Sequence, residues 1–251
     1  GGDTAFIGKV GDDQFGNSTI DMLRGEGIDV SALKVTAEAP SGVAIITTID
    51  SGENNIVLDS GANACLTAAD VREAEALFAD ASIVLMQLET PVEALVEAAA
   101  LGKKAGAYVV LNPAPAPKEP LPEALLKNVD LLIPNETEAS YIAGIEVKGE
   151  DDIPAAMDEI QKLGVKDVII TVGSKGVCAR LDGELIRVPA FKVKAVDTTA
   201  AGDTFCGALC VALSQGKSLP DAILFGNKAA SISVTRRGAQ MSMPHLDEVE
   251  L

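Results

Sequence analysis

Residues 82–111 read SIVLMQLETPVEALVEAAALGKKAGAYVVL. Ser82 to Leu88 is an apolar, strand-like run. Thr90 and Pro91 then offer an N-cap and a proline at the first helical position. Behind them Val92, Leu95, Val96 and Ala99 fall on one helical face. Gly106 stops that helix, and Tyr108 to Leu111 is the next strand. The same alternation continues downstream. A short helix is predicted over 121–129 and a strand over 131–133, ending at Pro134-Asn135. Helices follow over 137–143 and 153–163, and 168–172 (VIITV) is another strand. Unbroken β-branched runs spaced by helices predict an α/β fold with a central, mostly parallel sheet flanked by helices.

Two stretches break the alternation. Residues 41–61, SGVAIITTIDSGENNIVLDSG, alternate around Gly52 and predict an antiparallel hairpin over 42–58 that projects as a flap or lid. Residues 177–196 carry a second hairpin, CARLDGELIRV, turning at Asp182-Gly183 and capping the sheet edge. No repeat or long linker divides the chain, so a single domain over 1–251 is expected. The chain opens GGDTAFIGKV without an initiator methionine, and the expectation is that an upstream segment is missing.

The 251 residues carry a formal charge of −17, with 47% hydrophobic and 23% charged residues. This is a globular composition. Its acidic balance offers no field for a phosphate backbone, so no nucleic-acid partner is expected. Aromatics make up 3% and tryptophan is absent, which leaves little for base stacking. No apolar stretch is long enough to span a bilayer, and no signal peptide opens the chain. Cys65, Cys178, Cys206 and Cys210 form no CxxC pair, and His245 is the one histidine. A zinc site of these types and a Ser-His-Asp triad are therefore excluded. The cysteines are expected as reduced core residues of a cytoplasmic protein, with Cys206 and Cys210 on one buried helical stripe.

Four runs carry chemistry. In the first, the strand-like FKVKAV passes through small residues, Asp197-Thr198-Thr199-Ala200-Ala201-Gly202-Asp203, into the helical TFCGALCVALSQG. Small residues at a helix start let a ligand approach the backbone, and the free N–H groups there suit an anion. Asp203 in that place reads either as a general base toward a hydroxyl or as an N-cap. The second run is Pro134-Asn135-Glu136-Thr137-Glu138. Asn135 and Glu138 share a helical face and could orient water or Mg²⁺ near phosphates, or they could form a capping box. The third, Thr171 to Gly176 (TVGSKG), is a Gly-flanked turn after a strand, where open α/β sheets bind nucleotides. It matches neither GxxxxGK[ST] nor GxGxxG. In the fourth, Ser231 to Ser242, Arg236 and Arg237 read as a phosphate clamp or a solvated face.

Together these runs resemble the ribokinase / phosphofructokinase-B family of carbohydrate kinases over essentially the whole chain. VDTTAAGDTFCGAL is similar to the family's C-terminal signature. LNPAPA (Leu111 to Ala116), PNETEA (Pro134 to Ala139), TVGSKGV and VTRRGAQ stand in the order of its ribose-phosphorylating members. The resemblance implies ATP-dependent phosphorylation of the D-ribose 5-hydroxyl to D-ribose 5-phosphate. It makes Asp203 the base, and the N–H groups of Ala201, Gly202 and Asp203 the anion hole. It assigns Asn135 and Glu138 to Mg²⁺ and phosphate binding, and Thr171, Val172, Gly173, Ser174, Lys175 and Gly176 to the nucleotide turn. Asn227 falls beside the adenine pocket and Glu89 at a sugar-contacting position. Asp197, Thr199, Ser233, Arg236, Gly238 and Ser242 match a monovalent-cation loop, typically for K⁺, several of them through carbonyls. The 42–58 hairpin matches part of a β-lid, which implies a homodimer through the lid.

Two departures qualify the match. Ala200 stands where many members have glycine. Relatives also begin earlier, with a first strand and sugar-gripping motifs, so the chain by itself is expected to fold poorly or lack activity. Other readings are a different sugar or nucleoside kinase of the family, or a non-catalytic nucleotide-binding remnant.

Overall fold

The computed structural model describes residues 1–48, 54–181 and 183–249. The chain divides into two units. One comprises Gly2–Val84 and Leu88–Ala107; the other comprises Gly1, Leu85–Gln87 and Tyr108–Leu251.

The first unit opens with β1 (Gly8–Gly11), α1 (Gln14–Gly25) and β2 (Leu33–Thr36), in which β1 and β2 pair in parallel. Asp13 caps α1 by accepting from Gly16 N at 2.8 Å. The same carboxylate accepts from Ser41 N and Ser41 Oγ, both at 2.7 Å. Next come β3 (Val43–Thr48) and β4 (Asn54–Asp59), an antiparallel pair running from Val43 opposite Asp59 to Thr48 opposite Asn54. The expected hairpin is present, while its expected turn at Gly52 lies outside the described residues. Then follow α2 (Ala68–Glu73), β5 (Ile83–Met86), whose last two residues belong to the second unit, and α3 (Val92–Ala105). Pro91 rather than Thr90 is the cap of α3, because Pro91 is still extended at ψ 135°.

Paired strands place Lys9 and Lys34 side by side, and both reach Asp70 on α2. Lys9 Nζ lies 2.6 Å and Lys34 Nζ 2.8 Å from that carboxylate. Burial pushes the Asp70 carboxyl up, but hydrogen bonds from Lys34, Lys9 and Thr67 outweigh it and hold the pKa well below the usual carboxylate value. The Lys9 and Asp70 side chains are each only 12% exposed.

The second unit is built on the order β10-β9-β8-β7-β6-β5. Its elements are β6 (Tyr108–Leu111), α4 (Glu123–Leu126), β7 (Leu131–Leu132), α5 (Glu136–Ala143), α6 (Ile153–Lys162) and β8 (Asp167–Thr171). Then follow β9 (Val177–Leu181), β10 (Glu184–Val188), α7 (Ala201–Ser214) and α8 (Leu219–Ser233). Strands β6, β7 and β8 are parallel, and the β9–β10 hairpin closes the edge antiparallel, as expected. Val109, Val110, Leu111, Leu131, Leu132, Val168, Ile169 and Ile170 are wholly buried, which explains their unbroken apolar reading. Cys206, Leu209 and Cys210 form the expected buried stripe of α7.

One expectation fails: 191–196 (FKVKAV) is irregular chain, not strand. Its alternation buries neither face, since Val193 and Val196 are both exposed.

Asp70→Ala is expected to destabilise the protein by about 3 kcal/mol, because it leaves two ammonium groups together, one nearly buried. A native carboxyl held below its unfolded pKa adds stability above about pH 4 and loses it as pH falls through the native pKa. Denaturant unfolding at pH 7 and in acid checks both: the gap between wild type and variant should shrink in acid.

Candidate active site

The site gathers at the ends of β7 and β8 and the start of α7, all in the second unit. Helix α7 opens on Ala200, which is left-handed at φ 58°, the one non-glycine with positive φ among the described residues. Such a conformation costs an alanine about 1–2 kcal/mol. It is held in place by its carbonyl, which accepts from Thr204 N at 2.9 Å and Thr204 Oγ1 at 2.8 Å. Ala201 N is turned back to Thr198 O at 3.3 Å. Among the described residues, no backbone acceptor is found for Gly202 N, while Ala201 N is engaged and the Asp203 N–H acts on its own carboxylate.

Gly202 is exposed, and a Cβ built there meets nothing within 4 Å. Packing therefore does not require glycine here. Asp203 stands at the mouth of this space. It is exposed, yet the surrounding protein desolvates its carboxyl and raises the pKa, while its own N–H pulls the other way. Asp203 is not an N-cap: it lies inside α7, and the cap is Ala200.

Asn135 and Glu138 form the capping box of α5. Asn135 Oδ1 accepts from Glu138 N at 2.8 Å, and Asn135 N donates to Glu138 Oε2 at 2.8 Å. Asn135 Nδ2 donates to Glu138 Oε1 at 2.9 Å. Both carboxylate oxygens are thus engaged, each keeping further acceptor capacity. Glu138 is 5% exposed; burial raises its pKa, the Asn135 N–H opposes this, and the charge of Asp203 adds to the rise. The two carboxylates therefore share one electrostatic environment.

The turn after β8 is tight. Val172 N donates to Gly176 O at 2.8 Å, and Gly173 and Gly176 have φ of 53° and 101°. A Cβ at Gly176 would lie 2.1 Å from Val188 O, so only glycine lets the turn dock on 188–190. Asn227, nearly buried, donates from Nδ2 to Val188 O at 3.4 Å and Pro189 O at 3.3 Å. It holds the strap that the turn rests on. Thr171 ends β8, buried Val172 follows it, and Gly173, Ser174 and Lys175 are exposed. Lys175 pairs with Glu150 at 3.2 Å.

The remaining loop is tied by Asp197. Its carboxylate accepts from Thr199 N at 2.9 Å and Gly238 N at 3.1 Å, and Val196 N donates to Val234 O at 2.7 Å. The Thr199 N–H, with lesser help from the Thr199 hydroxyl and Gly238 N–H, holds the Asp197 carboxyl below its usual pKa. Ser233 Oγ and Ser242 Oγ are committed to Ala230 O and Ala239 O. Arg236 is ion-paired with Glu248. Glu89 lies in the first unit, exposed, between β5 and α3.

Known proteins match the chain in sequence and in fold. The model of the pfkB family of carbohydrate kinases covers residues 1–246. The chain belongs to this family. The ribokinase of Haemophilus influenzae is 43% identical over 248 residues, covering 99% of this chain and 80% of that protein. The ribokinase of Staphylococcus aureus is 41% identical over 98% of this chain and 81% of its own length. The structure of Arabidopsis thaliana ribokinase complexed with ribose and ATP superposes with a TM-score of 0.89 at 34% identity, covering 98% of this chain and 80% of that one.

As a pfkB kinase, the chain transfers phosphate to an alcohol group. Among the side chains that shape the site, sequence reading gave no role to Thr204, Glu150 or Glu248. Thr204 was legible as a hydroxyl one turn after a small-residue run; Glu150 pairs through a loop whose path only the fold reveals.

Gly202→Ala is expected to raise stability by about 0.5–1 kcal/mol, as alanine does in a helix. It should also cut kcat/KM on the order of 10²-fold by displacing the phosphoryl group. Thermal unfolding and steady-state kinetics on one preparation check this opposition.

Proposed function

We propose that this pfkB kinase phosphorylates the 5-hydroxyl of D-ribose with ATP, releasing D-ribose 5-phosphate and ADP. The observation that carries the reading is the unblocked start of α7. There Gly202 N has no backbone acceptor among the described residues, a Cβ on Gly202 would meet nothing within 4 Å, and the neighbouring Asp203 carboxyl is desolvated. Asp203 takes the hydroxyl proton as the oxygen attacks the γ-phosphorus. The bond from that phosphorus to the β–γ bridging oxygen breaks, and the N–H groups stabilise the developing charge. Thr171 to Gly176 hold the nucleotide, with Asn227 supporting the strap beside its base, and Glu89 contacts the sugar.

Asn135 and Glu138 act on Mg²⁺·ATP. Their fit is through water, since the mutual hydrogen bonds leave each Glu138 oxygen one further acceptor direction. The Asp197 loop suits K⁺. Asp197 stays ionised, and with the Ser233 and Ser242 hydroxyls committed elsewhere, the carbonyls of Thr199, Ser233, Arg236, Gly238 and Ser242 are the donors. Among the described residues, no cluster of His, Cys, Asp and Glu suits a transition metal.

The β3–β4 hairpin is the lid, excluding water from the sugar. Ile45 and Val57 are directly paired on it and are 64% and 62% exposed, with exposed Val43 on the same face. A second lid covering these residues makes the protein a homodimer. No described helix is long and apolar enough to cross a membrane. The unpaired cysteines suit the cytoplasm.

Asp203→Asn is expected to lower kcat roughly 10²–10⁴-fold while leaving ATP affinity nearly unchanged. Because burial raises this carboxyl and catalysis needs it ionised, wild-type kcat/KM should decline toward acid from a higher pH than a free aspartate, about 3.9, would give. A raised native carboxyl costs stability at neutral pH, so the variant should also melt higher there, with the gain vanishing in acid. Near-normal turnover in the variant removes Asp203 from the mechanism.

Replacing K⁺ by choline at constant ionic strength should lower kcat several-fold without changing the pH profile. Equal rates in both salts count against the cation loop.

A further inference from the structure

Residues Leu111–Ala116 read LNPAPA and run on from the end of β6. In the β6–β7 ladder Val110 stands opposite Leu131 and Leu111 opposite Leu132, and Ile133 N donates to Leu111 O at 2.9 Å. A parallel ladder alternates donors, so the next one due is the N–H of residue 113, onto Ile133 O. Residue 113 is proline and has no N–H. The side chain of the preceding residue takes its place: Asn112 Nδ2 donates to Ile133 O at 2.7 Å. Asn112 N meanwhile donates the other way, to Met86 O at 2.9 Å.

Ile133 is wholly buried, so its carbonyl has no water to turn to if Asn112 is lost. On the other side of the same segment, Thr171 N holds Pro134 O at 2.9 Å. The two peptides that lead into Asn135 are thereby fixed from both flanks, by Asn112 and by the first residue of the nucleotide turn. Asn135 in turn holds both oxygens of Glu138.

We infer that Asn112 is a positioning residue for phosphoryl transfer: by substituting for the donor that Pro113 lacks, it sets the orientation of the Asn135–Glu138 pair. This rests on the reading that the pair serves Mg²⁺·ATP. The Asn-Pro pair is the working unit, since the proline removes the backbone donor and the asparagine restores it from a side chain.

The test compares wild type, Asn112→Ala, Glu138→Gln and their double variant for Mg²⁺ half-activation, KM for ATP and KM for ribose. A further variant, Asn112→Ala with Pro113→Ala, restores a backbone N–H at position 113. Asn112→Ala is expected to raise the Mg²⁺ requirement and KM for ATP about tenfold while ribose KM holds. The double variant should be no worse than Glu138→Gln, and Pro113→Ala should recover most of the loss. Lower thermal stability with unchanged Mg²⁺ and ATP dependence overturns the inference, as does a double variant whose losses multiply. If Glu138→Gln itself leaves both dependences unchanged, the reading of the pair falls. Amide exchange then decides the inference: faster exchange at Asn135 and Glu138 in Asn112→Ala supports it, and unchanged exchange overturns it.

Discussion

A parallel sheet ends with donors and acceptors that the next ladder step would have used, and how they are satisfied decides where the adjoining side chains point. At the end of β7 this constraint is acute. The strand is two residues long, its continuation is wholly buried, and a proline follows on both sides of the ladder, Pro113 beyond β6 and Pro134 beyond β7. Pro113 ends the ladder on one flank, and Asn112 takes the Ile133 carbonyl it leaves. On the other flank Pro134 still accepts from Thr171 N beside the Asn135–Thr171 bridge, and from there the chain enters α5 with its capping box already set. The site inherits its geometry from where the backbone hydrogen bonds run out.

Helix α7 shows the converse arrangement, with backbone groups deliberately left open. A helix start normally finds caps for its N–H groups. Here the cap is a left-handed alanine with no side-chain oxygen to offer, and the carbonyl of Ala200 is spent on Thr204. The cost of that backbone and the desolvated Asp203 carboxylate oppose folding. Their concentration within four residues is what a site looks like when stability is traded for a transition state.

Much of this was legible in the sequence. The strand–helix alternation, the edge hairpin and the buried stripe of α7 follow from periodicity, which reports burial directly. Periodicity misled at 191–196, where alternating apolar residues find no covering layer and the chain stays irregular. The glycine turn and Asp203 were visible as residue types. What sequence could not settle was hydrogen-bond allocation: that Ala201 N is engaged, that Arg236 is held by Glu248, and that Asn227 faces carbonyls rather than open space. The first is a local bond to Thr198 O, set by the left-handed turn at Ala200; the others need segments 12 and 39 residues apart to meet at bonding distance, as Asp197 and Gly238 do across 41. Capping box and ligand-orienting pair were posed as rival readings of Asn135 and Glu138, but the geometry makes them compatible, because the box is what fixes the carboxylate.

The charge of −17 poses a physical question for a protein that handles a polyanion. Its long-range field repels the nucleotide, and at physiological salt that field is screened beyond about 8 Å. On the proposed reading, attraction comes from groups that act within a few ångströms: the Gly202 N–H at the start of α7 and the helix dipole behind it. Side-chain cations contribute less, because Lys175 in the glycine turn is already shared with Glu150. Fixed dipoles carry no net charge, so they hold an anion only when it sits in one place and orientation. A lysine-rich pocket would bind nucleotide loosely and in many poses. An acidic protein with oriented amides binds it in one, which is the condition for in-line transfer.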